Sequence, residues 1–279
     1  MIRGACTIVL KKTDRPILVI IIPCFNEEEA FPETAELLSA KMMQLVSSGL
    51  VSRKSLLLFI DDGSRDSTWA LIEEYHRKNP ELIGGIKLAG NRGQQNALLC
   101  GLLSARNYAD IAISIDADLQ DDIEAIDKML ASFYSGSEIV CGVRSGRESD
   151  SFYRKAGAFL FYGIMRFLGS GIMYNHAEFR LMSRKAINAL AEYNGVYLFI
   201  RAIVPLLGLK TGAVYYDSKK RRAGKSKYTA VKLLKLAIAG IVSFGILRNY
   251  KRKKRTVTKY SPGHYIEKKL FPPELINAG

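Results

Sequence analysis

The sequence predicts an α/β fold with a doubly wound, mostly parallel β-sheet. Short apolar runs rich in β-branched residues recur along the first half of the chain, as expected for buried parallel strands. Segments with helical apolar spacing separate these runs, so strands and helices alternate. Acidic residues stand where several runs end, which is where sheets of this kind bind ligands.

The predicted elements follow one another in a regular order. The strands cover residues 17–22, 55–60, 83–88, 111–115 and 138–143, and the helices between them extend to about residue 48 and over 68–78, 97–106 and 123–134. A helix within 198–209 and a strand at 211–216 complete the predicted fold. Parallel strands joined in this way require right-handed crossovers.

The strand at 111–115 ends in an acidic segment. Asp116 and Asp118 flank Ala117, and Gln120 follows. Side chains two residues apart on an extended segment point the same way, so both carboxylates can face one ligand. Like charges at this spacing repel unless a cation lies beside them, and oxygen ligands suit Mg²⁺ or Mn²⁺. The alternative is that these acidic residues stabilise the start of the next helix.

Two other predicted strands also end in acidic residues. Glu27 follows the first strand after the turn at Pro23, and Asp61 and Asp62 end the second strand. An acid at a strand end can accept hydrogen bonds from a nucleobase or a ribose, although Glu27 could equally be a helix N-terminal acid. Because three acidic strand ends would meet at one edge of the sheet, we predict a nucleotide and metal site there.

Several other kinds of site lack support. No G-x-G-x-x-G follows the first strand and no G-x-x-x-x-G-K-[ST] occurs, so dinucleotide and P-loop sites are not expected. Three histidines without ligand spacing argue against zinc. Cys24, Cys100 and Cys141 lie in apolar segments and are expected to be buried thiols in a reducing compartment. The apolar stretch near the N-terminus is too short for a signal peptide, so we expect a cytoplasmic protein body.

The net charge of +14 indicates an anionic partner, either nucleic acid, a phosphorylated substrate or an anionic membrane. A charge-free apolar stretch at 236–247 leads into a basic run at 248–259. The stretch has twelve residues, whereas a transmembrane helix needs about 20. This combination favours a helix lying on a membrane surface over nucleic-acid binding. Residues 152–168 are predicted to form an amphipathic interfacial helix, with a core helix as the alternative.

The first half of the chain contains P-C-F-N-E-E at 23–28, D-D-G-S-R-D-S-T at 61–68 and D-A-D-L-Q-D at 116–121. These motifs resemble those of family 2 glycosyltransferases. In the second half, R-K-A-G-A-F-L-F-Y at 154–162, G-I-M-Y-N-H-A-E-F-R-L-M-S-R at 171–184 and R-R-A-G-K-S-K-Y at 221–228 are similar to polyprenyl-phosphate sugar synthases, that is, bactoprenol glucosyltransferases and dolichol-phosphate mannose synthase. The resemblance covers about residues 17–247.

This resemblance implies a GT-A-like domain and a metal-dependent, inverting transfer of a hexose from a UDP-sugar, UDP-glucose in particular, to undecaprenyl phosphate at the cytoplasmic membrane face. The implied domains are an N-terminal extension at 1–16, the GT-A-like domain at 17–225, an interfacial helix at 226–247 and a basic tail at 248–279. Because the acidic strand ends lie upstream, deleting this tail is expected to spare donor binding. A homo-oligomer is left open. The alternatives are a catalytically impaired nucleotide-sugar-binding scaffold and a transferase with another acceptor.

The resemblance also implies roles for individual residues. The implied donor-binding residues are Pro23, Phe25, Glu27, Asp62, Asp116 and Ala117. The implied metal ligands are Asp118 and Gln120. The implied phosphate-binding residues are Arg144, Arg154, Arg221 and Lys227. Surface solvation is the alternative for each of the four cations. Asp118 and Glu178 are the implied catalytic residues, and Glu178 stands where the family usually has Asp. Because an acceptor phosphate is already largely ionised at pH 7, we expect Glu178 to orient the acceptor or Arg180 rather than to remove a proton.

Overall fold

The computed structural model describes residues 15–145, 176–192, 200–218 and 265–271. The predicted helices at 152–168 and 226–247, the basic run at 248–259, and Arg154, Arg221 and Lys227 lie outside these ranges. Within them, no helix is both long enough and apolar enough to span a membrane.

The described residues form one eight-stranded sheet with helices on both faces. The strands are β1 (Leu18–Cys24), β2 (Leu56–Asp61), β3 (Ile83–Leu88), β4 (Ile111–Ser114), β5 (Ile139–Arg144), β6 (His176–Ser183), β7 (Thr211–Tyr216) and β8 (Ile266–Leu270). The helices are α1 (Phe31–Ser47), α2 (Thr68–Lys78), α3 (Gln94–Ala105), α4 (Ala125–Tyr134), α5 (Arg184–Ala191) and α6 (Ile200–Ile203), which a 3₁₀ turn at Val204–Leu207 follows. The strand order is β7-β5-β6-β4-β1-β2-β3-β8.

The strands β4, β1, β2 and β3 form the parallel centre of the sheet. From β1 the chain moves outward through β2 to β3 and then returns to β4 on the other side of β1. The order therefore reverses between β1 and β4, and a crevice opens at the carboxyl ends of strands at such a point. The α/β class and the doubly wound centre are as predicted.

Strand β6 makes the sheet more mixed than predicted. It lies between β4 and β5 and is antiparallel to both, and β8 is antiparallel to β3. The segment at 171–184 carries a motif but was not predicted as a strand, because Glu178 and Arg180 interrupt its apolar pattern. In the fold both charged residues are buried, on a strand paired along both edges.

The sheet buries apolar side chains on both faces because alternate residues of a strand point in opposite directions. In β1, Ile20 and Ile22 pack in the cluster that contains α1 and α4 residues, whereas Val19 and Ile21 pack in the cluster with α3 and α5 residues. A strand covered on both faces must be apolar throughout, which is why β1 could be predicted from its composition.

The last strand, β8, lies within the predicted basic tail. It pairs with β3 through Gly85 and Leu270 and through neighbouring residues, with a bulge between Lys87 and Leu88. Lys268 forms an ion pair with Glu73 of α2. The described part of the tail therefore belongs to the sheet, and a cut at residue 248 would remove an edge strand.

Candidate active site

The loops after β1 and β2 are joined at the predicted ligand edge. The backbone N–H of Asp62 donates to the carbonyl oxygen of Cys24 at 2.8 Å, and the N–H of Glu27 donates to Thr68 Oγ1 at 2.8 Å. Pro23, Phe25 and Glu27 are half-buried on this loop. The structure therefore places the predicted donor residues of β1 and β2 side by side.

Asp62 organises a third loop, the one that follows β3. Its carboxylate accepts hydrogen bonds from the backbone N–H groups of Arg92 at 2.7 Å and Gly93 at 2.8 Å. Asp62 is only 3% exposed, and burial raises its pKa to about 6 although the two amide hydrogen bonds lower it. Gly63 is needed here because it has φ +70° and a Cβ would lie 2.6 Å from the carbonyl carbon of Gly90.

The acidic segment after β4 faces the same edge. Asp116 Oδ1 accepts a hydrogen bond from Gln94 Nε2 at 2.6 Å. Burial, together with the neighbouring charges of Asp121, Asp118 and Glu178, raises the pKa of Asp116 to about 8. The fold thus places three other carboxyl groups close enough to Asp116 to oppose its ionisation.

Asp118 and Gln120 offer oxygen ligands of the kind that a divalent cation prefers. Asp118 is 9% exposed, and its Oδ1 accepts a hydrogen bond from the Gln120 N–H at 3.2 Å across a turn in which Leu119 has φ +54°. No group of three His, Cys, Asp or Glu side chains in the described ranges forms a complete metal centre. Mg²⁺ and Mn²⁺ commonly bind one or two carboxylates and take their remaining ligands from water or phosphate. The donor chemistry of this segment therefore suits such an ion.

Arg144, predicted to bind phosphate, has a partner within the protein. Its Nη2 lies 2.9 Å from Asp121 Oδ1, and the hydroxyl of Tyr216 donates to the same oxygen at 2.5 Å. Although burial lowers the pKa of Arg144, the charge of Asp121 raises it overall. Burial and Asp121 raise the pKa of Tyr216. This cluster ties the acidic segment to β5 and β7.

Glu178 projects from β6 into a second polar cluster. Its Oε1 accepts a hydrogen bond from Gln95 Nε2 at 2.8 Å and lies 2.7 Å from Arg201 Nε. Gln95 Oε1 accepts from the backbone N–H of Ile200 at 3.1 Å. The contacts therefore join β6, α3 and α6. The cation beside Glu178 in these contacts is Arg201, and the prediction that Glu178 orients the acceptor or Arg180 stays a prediction.

Sequence reasoning missed several residues of this edge. They are the backbone amides of Arg92 and Gly93 and the side chains of Gln94, Gln95 and Arg201. The only signal for the four residues from Arg92 to Gln95 was the polar segment N-R-G-Q-Q-N at 91–96, and Arg201 lies outside it. Amides and backbone groups have no spacing rule comparable to that of paired carboxylates, so they could not be assigned from the sequence.

The fold and this edge define an α/β protein with an acidic ligand crevice at the ends of parallel strands. The family model described as Glycosyl transferase family 2 matches residues 19–191, so the chain belongs to that family. This confirms the resemblance inferred from the motifs.

Curated relatives narrow the comparison. The chain is 46% identical over 235 residues to the uncharacterized glycosyltransferase YkoT of Bacillus subtilis (strain 168). The aligned region covers 84% of this chain and 69% of that protein. The chain is 34% identical over 226 residues to the prophage bactoprenol glucosyl transferase homolog of Escherichia coli (strain K12), with 81% of this chain and 71% of that protein aligned. It is 33% identical over 226 residues to the bactoprenol glucosyl transferase of Shigella phage SfX, also covering 81% and 71%.

Solved structures share the fold. Glucosyl-3-phosphoglycerate synthase from Mycobacterium tuberculosis, in complex with phosphoglyceric acid, superposes with a TM-score of 0.54 at 16% identity, over 94% of this chain and 92% of that one. Mannosyl-3-phosphoglycerate synthase from Rubrobacter xylanophilus gives a TM-score of 0.52 at 13% identity, over 92% and 87%. At these identities the likeness shows the GT-A-like fold alone.

Proposed function

We propose that this protein transfers a hexose, glucose in particular, from a UDP-sugar to undecaprenyl phosphate with inversion at the anomeric carbon. The observation that carries the proposal is the set of acidic residues at the carboxyl ends of β2 and β4, where the strand order reverses, in a chain of family 2 whose relatives include bactoprenol glucosyl transferases. In the reaction an acceptor phosphate oxygen forms a bond to the anomeric carbon. The bond from that carbon to the donor phosphate oxygen breaks, and UDP leaves with the electron pair.

The nucleoside would be held by Pro23, Phe25, Glu27 and Asp62. A carboxylate has about four acceptor positions, and the amides of Arg92 and Gly93 use two of those on Asp62. The others can accept N–H or O–H groups from a base or ribose. Asp62 thereby combines two tasks, shaping the loop after β3 and offering acceptors to the donor.

Asp118 and Gln120 would hold the metal ion, and Asp116 and Ala117 would contact the donor. With Mg²⁺ or Mn²⁺ held there, these residues would supply a positive charge opposite the leaving pyrophosphate. The glucosyl-3-phosphoglycerate synthase named above has also been crystallised with Mn²⁺ and UDP, which supports a divalent ion without identifying it.

Glu178 would position groups on the acceptor side. A phosphate monoester has a second pKa of about 6, so its attacking oxygen is mostly ionised at pH 7 and needs no base. The contacts of Glu178 with Arg201 and Gln95 suit a side chain that orders its surroundings. Arg154, Arg221 and Lys227 are proposed to meet the acceptor phosphate, and their placement lies outside the described residues. Arg144 would assist through Asp121.

We also propose that the protein acts at the cytoplasmic face of the membrane. The support is compositional: an apolar stretch at 236–247 precedes a basic run at 248–259, in a chain with net charge +14. Basic residues near an anionic leaflet contribute about 1 kcal/mol each to membrane binding.

The proposal is tested with purified protein, undecaprenyl phosphate in detergent or liposomes, and a panel of radiolabelled UDP-glucose, UDP-galactose, UDP-N-acetylglucosamine and GDP-mannose. We expect label in the lipid fraction with UDP-glucose and none in the Asp118→Asn protein. Nucleotide binding without transfer to any acceptor would favour the scaffold alternative. Transfer only to a protein or glycan would identify another acceptor and contradict the lipid assignment.

A further inference from the structure

The loop at 89–93 is held from the outside by the residue that precedes β8. The backbone N–H of Ala89 donates to the carbonyl oxygen of Tyr265 at 2.8 Å. The guanidinium carbon of Arg92 lies 4.6 Å from the centroid of the Tyr265 ring, within cation–π range. Tyr265 therefore contacts the loop at Ala89 and again at Arg92.

The same loop is held from the inside by the candidate donor site. The N–H groups of Arg92 and Gly93 donate to Asp62, and Gln94 donates to Asp116. Arg92 thus places its side chain on Tyr265 and its backbone amide on Asp62. Losing the contact between the Arg92 side chain and Tyr265 can therefore shift the Arg92 backbone amide that binds Asp62.

Strand β8 has an independent anchorage at the sheet edge. It pairs with β3, Lys268 forms an ion pair with Glu73, and Glu267 Oε1 lies 3.1 Å from Lys87 Nζ. The family model ends at residue 191, so β8 lies beyond the part of the chain that defines the family. Ala89, Asn91 and Arg92 are exposed, and Tyr265, which directly precedes β8, contacts two of them.

We propose that Tyr265 is a positioning residue for the donor nucleotide. By stacking on Arg92 and accepting the Ala89 amide, it holds the loop at 89–93 in the conformation in which the Arg92 and Gly93 amides bind Asp62. Tyr265 then contributes to donor affinity through this loop. The inference rests on the proposed donor role of Asp62.

The test compares Tyr265→Leu, which removes the aromatic ring, with Tyr265→Phe, which keeps it. Lys268→Ala is the matched control, because it removes an ion pair of β8 with Glu73 that lies away from the loop. Exposed ion pairs contribute little to the free energy of unfolding, so this variant should fold. UDP affinity is measured by calorimetry in the presence of Mn²⁺, and hydrogen exchange of the Arg92 and Gly93 amides by NMR. Thermal unfolding verifies that all three variants fold.

We expect Tyr265→Leu to weaken UDP binding about threefold, in line with an exposed cation–π contact, and to speed exchange of both amides. Tyr265→Phe and Lys268→Ala should have the UDP affinity and the amide exchange rates of the wild type. In turnover assays the KM for the sugar donor should rise in Tyr265→Leu while kcat at saturation stays the same. Such a split between KM and kcat, with rescue by Phe, would not follow from general loss of stability.

Unchanged amide exchange in Tyr265→Leu, or equal loss of affinity in Tyr265→Phe, would overturn the inference. Failure of the proposed function has a different signature, since the wild type itself would then bind no nucleotide. In that case the amide exchange alone decides whether Tyr265 orders the loop.

Discussion

The Nε atom of Arg201 lies 2.7 Å from Oε1 of Glu178, and the side-chain amide of Gln95 donates to that same oxygen at 2.8 Å. The carboxylate of Glu178 is 5% exposed and sits between α3 and α6. A group held in this way is suited to positioning its neighbours. This geometry can be separated from proton transfer by experiment.

We predict that Glu178→Gln lowers kcat about tenfold, because the charge that orders Arg201 is lost while the acceptor phosphate stays ionised. The pH dependence of the rate should shift little, as measured from pH 6 to 9. Gln95→Glu serves as the companion variant, since it places a second carboxylate beside Glu178 and should impair the same step. Complete loss of activity in Glu178→Gln with recovery at high pH would instead make Glu178 a general base.

We predict that the loop after β3 responds to pH through the ionisation of Asp62, which binds two of its amides. Burial raises its pKa from 3.8 to about 6, so the folded state binds a proton more readily than the unfolded state. The associated stability is complete below pH 3.8 and is lost as the pH rises through about 6. The amide resonances of Arg92 and Gly93 should titrate with a midpoint near pH 6.

Asp62→Asn is the control for this titration. It should remove the midpoint from both amides and flatten the change in the free energy of unfolding between about pH 4 and 6. A titration that persists unchanged in Asp62→Asn would show that another group causes it.

For the metal, we predict that Asp118→Asn abolishes transfer and weakens Mn²⁺ binding at least about tenfold, because one carboxylate ligand is lost. The apolar sheet does not depend on this side chain, so the circular dichroism spectrum should remain that of the wild type. Asp122→Asn, four residues along the same segment, is the matched control and should retain activity. Full turnover in EDTA, or in Asp118→Asn, would remove the metal assignment from Asp118 and Gln120.

Tyr216→Phe should destabilise the fold by about 1.5–3 kcal/mol, the usual range for a hydrogen bond to a charged group. The lost hydroxyl donates to Asp121, whose side chain is fully buried against Arg144. Tyr215 is 64% exposed, so Tyr215→Phe is expected to change the free energy of unfolding by less than about 0.5 kcal/mol. Urea titrations of both variants measure the difference. Equal midpoints for the two would show that the Asp121 cluster contributes nothing to stability.

Membrane association should depend on salt. We expect the protein to bind anionic liposomes, to bind neutral ones poorly, and to dissociate in about 1 M salt, where the Debye length is about 3 Å. Replacing the five basic residues at 251–255 with Gln should weaken binding to anionic liposomes while leaving UDP binding unchanged. This variant is preferable to deletion of 248–279, which would remove β8. Association that resists salt and requires detergent for release would contradict the peripheral model.

The strands at the parallel centre of the sheet and the acidic residues at their ends were predictable from the amino-acid sequence. Strands β3 and β7 have the predicted bounds, and the predicted limits of β1, β2, β4 and β5 differ from the observed ones by one or two residues. Such strands are buried on both faces, so their composition marks them whatever their partners are. Asp62, Asp116 and Asp118 could be predicted to lie at this edge because they follow closely on apolar runs, and the carboxyl ends of parallel strands meet at one edge of a sheet.

The contacts between residues that are distant in the sequence became known from the tertiary structure. Glu178 is brought to Arg201, Arg144 to Asp121, and Tyr265 to Arg92, over separations of 23 to 173 residues. The antiparallel insertion of β6 and the pairing of β8 with β3 belong to the same class of facts. A local pattern records whether a residue is buried or exposed. It does not record which distant polar group or strand edge will satisfy it, because that choice depends on how the whole sheet is assembled.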